Sequence, residues 1–377
     1  MRKEILPLTS LRGVAAMAVI AMHFSATMQL LASGKFPSLA PRGQLAVDVF
    51  FVLSGFIMAY TYLGSFQNEG GWRAYGKFLT KRAARILPLN VAVTAILIAV
   101  TAAATWLIGK NPLPVVRLDH AFEDFVTNAL MLPGLGLGHS INWPAWSISV
   151  EFAAYFFFPL FLAGVFHRKR WVFLVSVLLA LALIVWVCAT GVDLGPEGKH
   201  NHPPPWRDLG RCFSEFVLGL ATYRLYASGR LTQLFRRDDV ALAISALIVV
   251  LVLAGPGNLF ILLLFPPLIL ALALNDGRVA QWMSWRFPYF LGQISYSLYL
   301  VHENFRHLAS ELVRSVHPGP VAPLVAMALA AVFSAAMIFP AWLSYVWIER
   351  PGRTLFRNLL TGRKTSAGEA LAREPVK

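Results

Sequence analysis

The sequence predicts an all-α, polytopic membrane protein with about ten transmembrane helices and both termini on the cytoplasmic side. Three observations predict it. Of the 377 residues, 57% are hydrophobic and only 14% charged, a balance far from that of a soluble domain. Apolar stretches of spanning length recur along the whole chain. Lysines and arginines gather in short clusters between alternate stretches, as the positive-inside rule demands. A formal net charge of +14 would otherwise suggest nucleic acid. Because the basic residues sit between apolar runs and not along one amphipathic face, no nucleic-acid partner is expected; the partner that this pattern implies is the lipid bilayer.

Taken in order, the apolar runs fall at 9–30, 44–64, 86–108, 143–166, 171–190, 208–226, 240–255, 258–275, 288–310 and 321–348. The first is long for the apolar core of a cleaved leader and reads as a retained span. Between the second and third, Trp72–Arg85 is basic and aromatic, the pattern of an interfacial helix. The seventh and eighth are short and joined by Gly255-Pro256-Gly257, which makes them a helical hairpin. Counting alternate loops puts 24 of the 33 Lys and Arg on one side, which is therefore cytoplasmic. The longest loops on the other side are 109–142 and 191–207. The first holds Asp119, His120, Glu123 and Asp124, then a glycine-rich passage, LPGLGLGHS, expected to dip back toward the membrane. The second holds His200 and His202, whose spacing is weak as a metal signal and reads as a solvated turn; no metal site is expected. Trp143, Trp146, Trp282 and Trp285 read as interface belts. Cys188 and Cys212 are too few for a disulfide framework and are expected as free thiols. Glu349-Arg350-Pro351 is expected to close the last helix, so that residues 1–355 form one membrane domain and 356–377 a short, basic, disordered tail.

Ionisable groups inside an apolar run are costly, which makes them candidates for function. Helical rise from the predicted ends places His23, Glu151 and His302 at one level, roughly 10–12 Å below the outer boundary. Asp48 and the Arg211/Glu215 pair lie nearer that surface, while Arg12, Arg82 and Arg85 lie toward the cytoplasm. Two imidazoles and a carboxylate at one depth suit proton movement. An Arg-x-x-Arg pair on one helical face suits a multiply charged phosphate, because guanidinium forks bind phosphate oxygens bidentately. Arg12 and His23 stand eleven residues apart on one helix, roughly 16 Å by rise. The pattern describes a phosphate-bearing donor that enters from the cytoplasm and reacts within the bilayer.

Six stretches carry a family resemblance: LRGVAAMAVIAMHF (11–24), DVFFVLSGFIMAY (48–60), KRAARILPL (81–89), WSISVEFAAYFFFPLF (146–161), ISYSLYLVH (294–302) and IERP (348–351). In that order they resemble the motifs of the membrane-bound acyltransferase family 3, the bacterial O-acetyltransferase-like integral membrane proteins. The resemblance implies a multi-pass protein of the bacterial inner membrane. It implies transfer of an acyl group, acetyl by default, from cytoplasmic acyl-CoA to a hydroxyl of a carbohydrate, glycolipid or secondary metabolite, with no bound cofactor. By position, His23 matches the catalytic histidine and Arg12, Arg82 and Arg85 the donor-binding residues. Glu151 and His302 match further motif positions and join the catalytic candidates; Asp48, Ser54, Arg211 and Glu215 are secondary candidates. The rival reading is a proton-coupled secondary transporter that uses His23, Glu151 and His302 as a relay. It would favour inverted repeats, which the sequence does not display. Acceptor, chain length and oligomeric state are left open.

Overall fold

Within a bilayer every backbone N–H and C=O must find a partner inside its own segment, so long apolar runs fold as helices. The computed structural model describes residues 3–32, 43–69, 71–190, 205–255, 257–317 and 319–361, and every regular element among them is helical. In chain order these are α1 (Leu6–Leu31), α2 (Leu45–Asn68), α3 (Gly71–Ile108), α4 (Ala121–Ala129), α5 (Ala145–Val165), α6 (Arg170–Ala189) and α7 (Pro205–Ser228). After a helical turn at Thr232–Phe235 come α8 (Asp238–Ala254) and α9 (Asn258–Leu274), then a short helix at Arg278–Met283. The chain continues with α10 (Arg286–Gln293), α11 (Ser295–Val316), α12 (Pro323–Ala336), α13 (Ile338–Ser344), a π-helical turn at Tyr345–Glu349 and α14 (Arg350–Thr361).

Among the described residues, six helical stretches are long and apolar enough to cross a membrane: α1, α2, α3, α5, α6 and the run Pro323–Leu360. The other expected spans fall short for two physical reasons. Helices α8 and α9 have 17 residues each. Helices α7 and α11 are long enough but carry charged residues on faces turned into the protein, among them Arg211, Glu215 and Glu303.

Three expected boundaries move. The interfacial helix and third span are one 38-residue helix, α3, with Pro88 inside it. Proline removes one backbone donor there, a loss that neighbouring groups can make good within a membrane bundle. The expected ninth span is split at Ile294 into α10 and α11. Glu349 does not close the last helix at a surface: it is fully buried, and α14 runs on to Thr361. Residues 356–361 belong to α14; residues 362–377 lie outside the described residues, as do His200 and His202.

Glycines let the helices that frame the site approach backbone to backbone. At the α2–α7 crossing, a Cβ on Gly55 would run into the carbonyl of Phe216, and one on Gly219 into that of Val52. At the α1–α10 crossing, a Cβ on Gly13 would lie 2.7 Å from Leu291 C, and one on Gly292 would run into the carbonyl of Thr9. The second crossing sets Arg12 beside the start of α11. The glycine-rich passage packs over the beginning of α5, where Gly134 meets the Trp146 carbonyl and Ser149. Asn128 ties this cover together: its amide donates to the carbonyls of Asp124 and His139, both at 2.7 Å, and its side-chain oxygen accepts from Ile141 N at 3.1 Å. Arg117 pairs with Asp124 at 2.5 Å, and that hydrogen bond raises the Arg117 pKa above its ordinary value. Cys188 and Cys212 are both free thiols.

Candidate active site

A cavity of about 230 Å³ opens among α1, α2, α3, α5 and α11, lined by Arg12, Arg82 and Arg85 together with Ser54, Glu151 and Tyr155. Arg12 donates to Ser295 Oγ at 3.2 Å, and Arg82 donates to the Tyr62 hydroxyl at 2.9 Å with its guanidinium 5.3 Å from that ring. Among the described residues none of the three arginines has a carboxylate within ion-pairing distance. Glu151 lines the same cavity but accepts a hydrogen bond from the Tyr155 hydroxyl at 2.6 Å, and Tyr155 OH stands 3.2 Å from Ser54 Oγ. Guanidinium groups lining a cavity without their own carboxylates form a receptor for an external anion.

Farther along α1 a second cavity, of about 360 Å³, is lined by His23, Thr27, Trp143, Glu303, Arg306 and His307 among others. The His23 ring sits 5.0 Å from that of His302, and its Nδ1 is 3.5 Å from Glu303 Oε2. Arg306 clamps the Glu303 carboxylate with its Nε at 2.9 Å from both oxygens, and donates to Thr27 Oγ1 at 2.9 Å. Thr27 in turn donates to the His23 carbonyl at 3.1 Å. His23 thus stands against a carboxylate whose direction is set by a guanidinium, the arrangement that an imidazole needs if it is to be oriented for proton transfer.

His302 is fully buried between the cavities. Its Nδ1 donates to the Tyr299 carbonyl at 2.7 Å, which leaves Nε2 as a bare lone pair; that nitrogen is buried and has no hydrogen-bond partner. Tyr299 lines the arginine cavity, and its ring is 5.9 Å from that of His302. Tyr299 and His302 therefore separate the arginines from His23.

The expected common level of His23, Glu151 and His302 is not found. The Ser147 and Tyr299 hydroxyls, 2.7 Å apart, mark one level on α5 and α11. Glu151 lies one turn from Ser147 toward the arginines, and His302 nearly one turn from Tyr299 the other way, about 10 Å in all by helical rise. The start of α5 is covered by the glycine-rich passage, so its first residue does not mark the membrane boundary. Glu151 belongs with the arginines, and Glu303 takes the place beside His23. Adjacent residues on a helix diverge by about 100°, yet the His23 ring reaches both His302 and Glu303.

Of the secondary candidates, only Ser54 lines the arginine cavity. Asp48 is chelated by Arg211 through two hydrogen bonds, and Glu215 Oε1 lies 3.9 Å from the same guanidinium. This buried α2–α7 cluster lines neither cavity. His23, His302 and Glu303 have ligand atoms within 4.8 Å of one another and are the one such group among the described residues. The Arg306 guanidinium on Glu303 opposes a cation there.

Comparison with known proteins supports the same direction. The family model described as an acyltransferase domain matches residues 7–345. The chain is 29% identical over 239 residues to "Acyltransferase MdmB" of Streptomyces mycarofaciens, a match that covers 59% of this chain and 57% of that protein. It is 26% identical over 316 residues to "Exopolysaccharide production protein ExoZ" of Rhizobium meliloti (strain 1021), covering 82% of this chain and 89% of that protein. "Protein 2 in picA locus" of Rhizobium radiobacter is 34% identical over 155 residues, 38% of this chain and 75% of that protein. No solved structure matches. With a family match over nearly the whole length, the chain belongs to acyltransferase family 3.

Proposed function

We propose that the protein is an O-acyltransferase of the bacterial inner membrane that moves a short acyl group, acetyl by default, from cytoplasmic acyl-CoA to a hydroxyl of a carbohydrate or glycoconjugate. The observation that carries this reading is the pairing of two sites on α1. Arg12 faces an anion-binding cavity, and His23, eleven residues on, faces a base-orienter pair in a second cavity. The similarity to ExoZ, an exopolysaccharide production protein, supports a carbohydrate acceptor.

In this reading Arg12, Arg82 and Arg85 hold the phosphates of the donor, and the thioester arm passes the Tyr299 level toward His23. Glu303 holds the proton on His23 Nδ1, so Nε2 is the base. His23 Nε2 takes the proton from the acceptor hydroxyl as its oxygen bonds to the thioester carbon. The carbon–sulfur bond then breaks, and the thiolate leaves as CoA thiol with a proton returned from the imidazole. His302 Nε2, bare and beside His23, is placed to pass that proton. The ten spans, with both termini cytoplasmic, complete the proposal and put the arginines at the donor's side of the membrane. Membranes that contain the protein, incubated with acetyl-labelled acetyl-CoA and candidate glycans, are expected to move label into the glycan. Uptake of a solute without consumption of acyl-CoA would instead support transport.

A further inference from the structure

Next to the inner cavity, though not among the residues that line it, stands an arginine from the C-terminal end of the described chain. Arg353 of α14 follows Gly352, which packs on Pro88 of α3, three residues from the cavity-lining Arg85. Several features of the chain put it there. The π-helical turn Tyr345–Glu349 shifts the register of the last helix, and such turns recur at functional sites. Glu349 at its end is fully buried and accepts a hydrogen bond from Ser297 Oγ at 2.5 Å. Helix α14 then lies against α3 next to the Arg82/Arg85 segment: a Cβ on Gly352 would stand 2.6 Å from Pro88 Cβ. The Tyr296 hydroxyl closes the corner by donating to the Ile86 carbonyl at 2.7 Å.

Arg353 pairs with Glu349, but its Nε is buried and has no hydrogen-bond partner, and the same holds for Arg82 Nε. Four guanidiniums therefore share this region with the carboxylates of Glu151 and Glu349. Excess positive charge partly withdrawn from water is costly unless an anion neutralises it. The spare donors and the spare charge ask for the same thing, a ligand group with several negative oxygens.

We propose that Arg353 is a fourth donor-binding residue, which grips a phosphate of acyl-CoA alongside Arg12, Arg82 and Arg85 while Glu349 anchors its other side. This rests on the acyl-CoA reading above. Binding of CoA, and of pantetheine as a probe that lacks the phosphates, to the purified full-length protein tests it. Arg353→Ala is expected to weaken CoA about tenfold or more, the loss of a charge-assisted hydrogen bond, and to leave pantetheine unchanged. Arg353→Lys keeps the charge but loses the fork, and is expected to fall between wild type and Arg353→Ala. A folded Arg353→Ala that binds CoA like wild type would overturn the role of Arg353 and leave the donor reading standing. Equal weakening of CoA and pantetheine would also overturn it, by showing a structural role. Failure of the wild-type protein to bind CoA would sink the donor reading itself, and this inference with it.

Discussion

His23 depends on a partner that its own helix does not supply. Glu303 comes from α11, and its carboxylate is aimed by Arg306, which also reaches back to Thr27 one turn beyond His23. Glu303→Gln keeps the size of the side chain but removes the charge that favours a protonated imidazole in the transition state. The expected result is a fall in kcat on the order of 10²-fold with little change in donor binding, read from turnover and CoA affinity on the same sample. Unchanged kcat in Glu303→Gln would remove Glu303 from the mechanism. Much of this scale was legible in the sequence. Arg12 and His23 stand out because ionisable side chains in an apolar run are costly, and Arg82 and Arg85 because of their spacing. Glu303, Arg306, Glu349 and Arg353 were not, since their roles arise only when distant helices meet.

The helices were legible as apolar runs but not in their boundaries. Sequence reading stops α3 at an interface because Trp72–Arg85 is basic, whereas backbone hydrogen bonding carries the helix straight through. It also joins α10 to α11, although the chain breaks at Ile294, where Ser295 Oγ turns back to the Gly292 carbonyl at 2.8 Å. The glycine crossings are likewise invisible until the helices are paired. Gly55→Val would push α2 and α7 apart next to Ser54, a residue of the arginine cavity. Overpacking of this kind costs about 1–3 kcal/mol, so a lower Tm in thermal unfolding of the detergent-solubilised protein is expected. A Gly55→Val protein with wild-type Tm would contradict the close crossing.

At the scale of the molecule, two cavities lie in series along α1 with Tyr299 and His302 between them. That division of labour predicts separable defects. Replacing Arg82 and Arg85 together by Ala is expected to weaken CoA binding by about two to four orders of magnitude, at about 1.5–3 kcal/mol for each charge-assisted contact. Binding of pantetheine should be preserved; equal loss of both ligands would instead indicate a collapsed cavity. The series order could be read from Arg12 and His23 as a distance along one helix. The wall between the cavities could not, because it depends on how α5 and α11 are staggered at Ser147 and Tyr299.

The most direct test of the account is His23→Ala, measured for CoA binding and for acetyl transfer in one preparation. The account predicts wild-type CoA affinity with transfer reduced by about 10²–10⁴-fold, the usual worth of a general base. Transfer at the wild-type rate in that protein would contradict it.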